Sequence, residues 1–290
     1  MDFIIAIVNG LSLGGTYAMI AIGYTMVYGI AKMLNFAHGD VIMVGGYAMY
    51  ITLLLMDLPI LALLFAILFC VALGVCIERF AYKPLRGASP LAVLITAIGV
   101  SYLLQSLAQI VFGSAPKMLM KLQISGFVEL GELRIAYSTI LTLALTVVIM
   151  TALTVFVKYT KPGRAMIAVS EDRDAARLMG INTNAIIAIT FAIGSALAAV
   201  AGYCMLIKSP SLSNTLGAMP GIKAFTAAVI GGIGSIPGAM LGGIMLGLIE
   251  QFSKAYISTL WADAIVFLVL VLVLVVKPTG LLGKKISEKV

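Results

Sequence analysis

Long runs of apolar residues, separated by short polar connections, dominate the chain. A helix needs about 20 apolar residues to cross the hydrocarbon core of a bilayer, somewhat fewer at the lower limit. Seven runs fit a spanning helix: Phe3–Ile30, Asp40–Met56, Pro59–Ile77, Leu91–Phe112, Tyr137–Val157, Ala185–Ile207 and Ala262–Val276. The runs are continuous rather than alternating, which favours helices over the strands of a barrel. We therefore predict an all-α, polytopic transmembrane bundle that forms a single domain over residues 1–290.

A further apolar region, Ile222–Glu250, is interrupted by a glycine-rich stretch, Gly231 to Gly238. Each half is shorter than a full crossing needs, so two interpretations stay open: a re-entrant helix pair, or one long span broken in the middle. We expect about seven or eight spans plus this segment. Irregular backbone at membrane depth must be buried in protein or line a cavity. Gly231, Gly234 and Ser235 are therefore candidates for a translocation pathway, with tight helix packing as an equal alternative.

Charged residues are scarce, and their placement predicts the orientation of the bundle. The chain is 62% hydrophobic and 11% charged, against about 25% charged residues in a typical soluble domain. With the amino terminus outside, 13 of the 19 Lys and Arg residues are cytoplasmic, and the six outer ones are Lys117, Lys121, Arg134, Lys208, Lys223 and Lys254. The positive-inside rule thus predicts an N-out, C-in topology. It also accounts for the net charge of +7 without nucleic-acid binding.

The sequence offers few groups for metal or catalytic chemistry. His38 is the single histidine, and the three cysteines form no CxxC pair, so we predict no metal, no cofactor and no catalytic residue. A membrane enzyme or an ion-coupled carrier would need reactive or ionisable groups at membrane depth. Glu250, Asp263 and Asp40 lie near predicted span ends, so we expect no strong charged pair deep in any span.

Polar side chains inside two of the predicted spans are candidates for a translocation pathway. They are Asn9, Ser12, Thr16 and Tyr17 in the first span, and Thr96 and Gln105 in the fourth. Asn9, Ser12 and Thr16 share one helix face by their spacing. Because polar groups are costly in lipid, they face the bundle interior. Hydrogen bonding between helices explains them at least as well as a pathway does, and both interpretations stay open.

A polar turn connects the first two spans and contains Asn35, His38 and Asp40. We place it near the inner surface, where a gate or a helix cap is a better interpretation than a binding site. A lone histidine without a matched partner gives no indication of acid–base catalysis.

The longest cytoplasmic connection, residues 158–184, has the pattern of a surface helix. Lys161-Pro-Gly163 is expected to end the preceding span. Ser170 is expected to cap a short amphipathic helix, Ser170–Met179, which Gly180 then ends. Ala175, Ala176, Leu178 and Met179 would give this helix a small apolar face.

The pattern Asp174-Ala175-Ala176-xxx-Gly180 resembles the EAA…G coupling segment of ABC importer permeases, with Asp in place of Glu. In that family the helix docks into a groove on a cytoplasmic ATPase. The resemblance implies that coupling to the ATPase depends on Glu171, Asp174, Ala175, Ala176, Arg177 and Gly180.

A longer resemblance covers nearly the whole chain. Leu11-Ser-Leu-Gly-Gly-Thr-Tyr-Ala-Met19, Leu34-Asn-Phe-Ala-His-Gly-Asp40, Gly231-Gly-Ile-Gly-Ser-Ile-Pro-Gly-Ala239 and Lys277-Pro-Thr-Gly280 resemble branched-chain amino acid ABC permeases of the H type. The resemblance implies a bacterial inner-membrane importer with alternating access. Its partners would be two cytoplasmic ATPases, a second homologous permease and a periplasmic binding protein. Related permeases move urea or other amino acids, and a stand-alone secondary carrier is the alternative from another class.

The resemblance also implies where ATP would be hydrolysed. This chain has no G-x-x-x-x-G-K-[ST] phosphate loop, the motif that cradles nucleotide phosphates in P-loop ATPases. ATP hydrolysis would therefore occur on the partner subunits.

Overall fold

The computed structural model describes residues 2–130 and 133–283. Within them the chain is mainly helical, with a few short strands. The α-helices are α1 (Asp2–Ala31), α2 (His38–Leu55), α3 (Pro59–Ile77), α4 (Pro90–Phe112), α5 (Tyr137–Tyr159), α6 (Lys161–Glu171), α7 (Arg173–Leu178), α8 (Thr183–Leu206), α9 (Ala218–Gly231), α10 (Ile236–Tyr256) and α11 (Ala262–Val276). A π-helical turn, Glu78–Tyr82, extends α3.

Two small antiparallel sheets lie together at one end of the bundle. The strands are β1 (Lys117–Met118), β2 (Phe127–Leu130), β3 (Leu133–Ala136) and β4 (Ser211–Leu212). In the first sheet Lys117 of β1 lies opposite Leu212 of β4, and in the second Phe127 of β2 lies opposite Ala136 of β3. We call this end the sheet end, and the opposite end, which carries α6 and α7, the α7 end.

The predicted polytopic helical fold is confirmed, but the set of helices that are long enough to span a membrane differs by one. Seven helices have the length and apolar composition to cross a membrane. Six of them match predicted spans, and the seventh is α10, with 21 residues. The predicted span Ala262–Val276 forms α11 but has only 15 residues.

The glycine-broken segment is a hairpin of two helices. α9 and α10 pack side by side and are connected by residues 232–235. A Cβ added at Gly231 would lie 1.9 Å from the carbonyl oxygen of Gly238, and one added at Gly242 would lie 2.1 Å from that of Ala227. The helices therefore run antiparallel with their backbones in contact. The interpretation as one span broken in the middle was wrong, and so was the expectation that both halves are short.

Helix α1 lies at the centre of the bundle. It contacts α5, α8, α9 and α10, and residues 14–27 are all buried. Its closest neighbour is the antiparallel α10, because glycines face one another between them. A Cβ added at Gly247 would lie 2.2 Å from the Cα atom of Gly14. Without a hydrophobic driving force between helices in lipid, such close backbone packing is a main source of association.

The connection between α5 and α8 forms two helices rather than one. Lys161-Pro-Gly163 begins α6 instead of only ending the preceding span, because Thr160 caps α6 by accepting a hydrogen bond from the Gly163 N–H at 3.1 Å. Proline is favoured in a first helical turn, where its missing N–H costs nothing. Ser170 lies inside α6 and does not cap the next helix; Asp172 caps α7. The prediction of a continuous helix over Ser170–Met179 was therefore wrong about where the helix begins, since α7 begins at Arg173.

We predict that Gly247→Ala destabilises the protein by about 1–3 kcal/mol, the usual range for overpacking a close contact. The added methyl group would overlap the backbone of α1 at Gly14. Thermal unfolding of the purified protein measures the effect.

Gly99→Ala in α4 is the matched control. No heavy atom lies within 4 Å of a Cβ added there, so this variant should be as stable as the parent or up to about 1 kcal/mol more stable. Equal unfolding temperatures for the two variants would contradict the packing assigned to α1 and α10.

Candidate functional site

A buried cluster of charges connects α9, α10 and α11. Lys223 Nζ lies 2.9 Å from Glu250 Oε1 and 2.6 Å from Asp263 Oδ1. Lys254 Nζ lies 2.6 Å from the same Glu250 oxygen. The hydroxyl of Tyr17 donates to Glu250 Oε2 at 2.8 Å. The side chain of Glu250 is 1% exposed and that of Lys223 is 8% exposed.

Lys223 was counted among the outer basic residues, and the structure buries it within α9. A buried charged pair between two helices was not expected, yet Lys223 and Glu250 form one. The signal in the sequence was the single lysine inside an otherwise apolar run, because an ionisable residue in such a run requires a partner. Which acid would pair with it depended on the α9–α10 hairpin.

A second polar cluster lies nearer the sheet end, between α1, α5 and the end of α8. Lys208 Nζ donates to Ser12 Oγ at 2.6 Å, and Thr139 Oγ1 donates to Asn9 Oδ1 at 3.4 Å. Ser12 Oγ also lies 3.4 Å from the carbonyl oxygen of Thr139. The structure thus brings two predicted pathway residues, Asn9 and Ser12, together with Lys208, which sequence reasoning left in a loop.

The ammonium group of Lys208 is turned inward. Lysine side chains normally extend their charged end towards water, but here Nζ contacts Ser12, which is fully buried. The residue as a whole is exposed, while its ammonium group contacts the interior at Ser12. Burial lowers the pKa of the Lys208 ammonium to about 8, and the group is still mostly protonated at neutral pH.

The side chains of the predicted polar turn are buried within the bundle. Asn35, His38 and Asp40 are 4%, 2% and 2% exposed. Tyr82 donates to Asn35 Oδ1 at 2.8 Å, and Gln105 Nε2 donates to Asp40 Oδ1 at 2.8 Å. Gln105, which was predicted to be a pathway residue, therefore holds α4 to the start of α2.

None of the three turn residues caps α2 through its side chain. The N-cap is Ala37, without a side-chain hydrogen bond, so the helix-cap interpretation was wrong. The His38 ring packs edge-on against Tyr24, with ring centroids 4.8 Å apart. A Cβ added at Gly23 would lie 2.3 Å from His38 Nε2, so only glycine lets this ring pack against α1. The gate interpretation remains a proposal.

The other predicted pathway residues are spread through the bundle. Thr16 donates to the carbonyl of Ser12 in its own helix at 3.2 Å, and Thr96 is partly exposed on α4. Gly231 is buried at the end of α9. Gly234, with φ +94°, lies in the hairpin turn. Ser235 caps α10 by accepting from the Gly238 N–H at 3.2 Å.

The short helix α7 is held in shape by its two ends. Asp172 accepts hydrogen bonds from the backbone N–H groups of Asp174 and Ala175 at 2.9 and 3.0 Å. At the other end Gly180 has φ +81°, and the N–H of Ile181 donates to Ala176 at 3.0 Å. This pattern is a Schellman cap, in which glycine takes the left-handed position. The predicted end of the helix before Gly180 is thus confirmed.

The predicted apolar face of α7 is mostly open. Leu178 is 89% and Met179 is 82% exposed, whereas Ala176 is buried. Ala175 and Glu171 are also exposed. Asp174 and Arg177 are 92% and 60% exposed and lie 3.9 Å apart, so a weak charged pair borders the open apolar side chains.

A single arginine connects α7 to the central helix. Arg173 donates from Nε and Nη2 to the carbonyl oxygen of Ile30, near the end of α1, at 3.2 and 3.0 Å. The carbonyls of the last helical turn have no partner within the helix, so the guanidinium satisfies one of them. Burial, together with nearby Arg86 and Arg177, lowers the pKa of Arg173, but an arginine stays charged near neutral pH.

Comparison with known proteins finds matches along nearly the whole chain. The family model for the permease component of branched-chain amino acid transport systems matches residues 6–274. The high-affinity branched-chain amino acid transport system permease protein LivH of Salmonella typhimurium is 46% identical over 295 residues, which cover 97% of this chain and 96% of the relative. The corresponding protein BraD of Pseudomonas aeruginosa is 45% identical over 297 residues, covering 98% and 97%. A probable permease of this kind from Methanocaldococcus jannaschii is 27% identical, covering 91% and 88%.

We predict that Glu250→Ala destabilises the protein by about 1–3 kcal/mol, because Lys223 and Tyr17 lose a buried hydrogen-bond partner while Asp263 still pairs with Lys223. Lys223→Met combined with Glu250→Leu should recover most of this loss, since Lys254 and Asp263 are partly exposed and can turn to solvent. Thermal unfolding of the purified variants checks both results.

Glu129→Ala serves as the control. Glu129 and Arg134 form an exposed pair at 3.0 Å, which should contribute about 0–1 kcal/mol. Similar losses in the Glu129 and Glu250 variants would show that the buried cluster has no special role in stability.

Proposed function

Since the chain belongs to the family of branched-chain amino acid ABC transporter permeases, we propose that it forms one half of the membrane pathway of a bacterial inner-membrane importer. The other half would be a second homologous permease. Two cytoplasmic ATPases would supply the energy, and a periplasmic binding protein would deliver the amino acid. The observation that carries this proposal is α7, which offers exposed apolar side chains and a rigid end at the place where the family has its coupling segment.

The α7 end is proposed to be cytoplasmic. The connections at this end carry most of the basic residues, including Arg86, Lys158, Lys161 and Arg164. Basic residues accumulate in cytoplasmic connections. With α1 ending at the α7 end, the amino terminus would then lie outside, as the N-out, C-in prediction requires.

Leu178 and Met179 are proposed to enter the groove of the ATPase. They are among the most exposed large apolar side chains of the chain, and burying each such side chain contributes about 1.5–3 kcal/mol. Asp174, Arg177 and Glu171 border them and would fix the register of docking. The small side chains of Ala175 and Ala176 keep α7 narrow enough to fit between the groove and the bundle.

Movement of α7 is proposed to reach the pathway through α1. Arg173 holds the carbonyl of Ile30, so displacement of α7 pulls on the end of the central helix. Because α1 contacts α5, α8, α9 and α10, a tilt of α1 changes the packing of most of the bundle. Interior packing is bistable rather than continuously deformable, which suits alternating access.

The translocation pathway is proposed to lie beside those predicted pathway residues that are exposed at the surface of the single chain. Thr96, Gln105, Gly234 and Ser235 are each partly or fully exposed in the single chain, so a second permease could close a passage against them. Ser12, Thr16, Tyr17 and Gly231 are buried and reach such a passage only when the helices move apart. Asn35, His38 and Asp40 would act as the gate by holding α2 to its neighbours.

A stand-alone secondary carrier is the second candidate, and the buried charge cluster is the observation that favours it. Ionisable residues at membrane depth are typical of ion-coupled transport. The cluster nevertheless holds two acids and two bases, so it is neutral as a whole and needs no external ion. Uptake of leucine by the chain alone in liposomes under an ion gradient would support the carrier.

We predict that Leu178→Glu combined with Met179→Glu abolishes co-purification of the ATPase subunits and ATP-dependent uptake of leucine. The two charges would prevent burial of this face. Thermal unfolding of the isolated chain should stay unchanged, because both side chains are already exposed. Retained co-purification and uptake would refute the docking face.

We predict a graded effect at Gly180. Gly180→Val should reduce coupled uptake several-fold, because a β-branched residue at φ +81° strains the backbone by about 1–3 kcal/mol and loosens the end of α7. Gly180→Asn is the control, since asparagine adopts this conformation readily. No heavy atom lies within 4 Å of an added Cβ, so a loss in both variants would point to contact with the partner rather than to the cap.

A further inference from the structure

A cavity of about 340 Å³ opens at the sheet end beside Lys208. Its walls are formed by the segment before β2, the start of α5 and the end of α8. The side chains that matter for its chemistry are Gln123, Ile124, Ser125, Ser138, Ile207 and Lys208. Pockets for small molecules have volumes of about 300–1,000 Å³, so this cavity suits a compact ligand.

Lys208 is the charged residue of the described cavity wall, and its ammonium group has no carboxylate partner there. Among the described residues, none of the salt bridges involves Lys208. Its Nζ contacts the Ser12 hydroxyl at 2.6 Å, which satisfies one donor and leaves the charge uncompensated. By contrast, the buried Lys223 has two acids. A cation that is partly removed from water without a counter-charge is costly, and an anionic ligand would reduce that cost.

The rest of the wall is divided between polar and apolar groups. Ser125, Ser138 and Gln123 supply hydroxyl and amide groups that can donate or accept hydrogen bonds. Ile124 and the exposed ring of Phe127 supply the apolar surface, to which Ile207, at 1% exposed, adds little. A ligand with a carboxylate, an ammonium group and a short branched aliphatic side chain would therefore match this wall. Lys208 would face the carboxylate, the hydroxyl and amide groups the ammonium, and the apolar residues the side chain.

We infer that this cavity is a reception site for the α-carboxylate of a free aliphatic amino acid, with Lys208 as the charged ligand-binding residue. The inference rests on the proposed function, because that function supplies the amino acid. Ser12 holds the ammonium until the carboxylate binds and then gives it up. A weak site of this kind, at the end opposite α7, would receive the amino acid when the binding protein opens.

Ser12 also gives the site a connection to the central helix. It lies on α1, and Ile30, the carbonyl held by Arg173, is near the other end of the same helix. Occupation of the cavity exchanges the Lys208–Ser12 contact for a Lys208–carboxylate contact. The constraint on the first half of α1 is thereby released when substrate is present.

The test is the equilibrium binding of L-leucine to the purified full chain in lipid nanodiscs. Saturation-transfer NMR measures this binding. Lys208→Met should weaken binding at least tenfold, whereas Lys208→Arg should stay within a few fold of the parent. L-Leucinamide, which lacks the carboxylate, should bind at least tenfold more weakly than leucine. 4-Methylpentanoate, which keeps the carboxylate and lacks the ammonium, should still bind.

Lys121→Met is the matched control, because Lys121 lies at the same end, is 54% exposed and pairs with Asp57 at 3.1 Å. It should leave leucine binding unchanged. Equal binding of leucine and leucinamide, or equal losses in the Lys121 and Lys208 variants, would overturn the inference. Unchanged thermal unfolding of Lys208→Met confirms that a loss of binding is not a loss of fold.

Uptake by the complete transporter separates this inference from the proposed function. If the parent assembly imports no branched-chain amino acid, the proposed function fails. If the parent imports leucine and Lys208→Met does so with the same KM and maximal rate, only the inference about the cavity fails. If Lys208→Met impairs docking of the substrate-free binding protein while leucine binding is intact, the lysine recognises an acidic side chain of that partner, and the inference is overturned.

Discussion

The close contact between α1 and α10 is the interaction on which the rest of the interior depends. Gly14 and Gly247 bring the two backbones together, and the same approach sets Tyr17 of α1 beside Glu250 of α10. Glu250 then holds Lys223, which anchors α9. With 14 residues, α9 is short for a membrane helix, so this attachment and its glycine contacts with α10 position it. A larger side chain in the α1–α10 contact would displace all three helices.

Most polar groups in the bundle follow one rule: they find a partner inside the protein, because lipid offers none. Among the described residues, Thr25 Oγ1 and His38 Nε2 are buried without a hydrogen-bond partner. Asp40 binds Gln105, Asn35 binds Tyr82, and the acids and bases of the charge cluster bind one another. Lys208 departs from the rule, since its charge has a hydroxyl for a partner and a cavity beside it. The difference between a satisfied and an uncompensated charge separates the structural clusters from the proposed receiving site.

The α7 end and the sheet end of the bundle have different surfaces, and α1 connects them. At one end Arg173 holds the last turn of α1 to α7, whose apolar side chains are open to a partner. At the other end Ser12 contacts Lys208. The 18 residue steps from Ser12 to Ile30 correspond to about 27 Å of helix. A single rigid element thus reaches from the proposed ATPase contact to the proposed substrate cavity, which fits a permease that is driven from one side.

The sequence by itself determined the class of fold, most of the spans, the family, and the end of the surface helix at Gly180. The fold class, the spans and the helix end follow from local properties: apolar run length and glycine at a left-handed position. The family follows from the resemblance of motifs along the chain. The sequence did not determine the partner of Lys223, the inward turn of Lys208, the burial of His38, or the hairpin formed by α9 and α10. Those depend on which helices are neighbours, and the uniform apolar surfaces of membrane helices do not encode neighbours in a local pattern. Only the tertiary structure, through glycine contacts between distant segments, decided which polar residues meet and which charge is left without a partner.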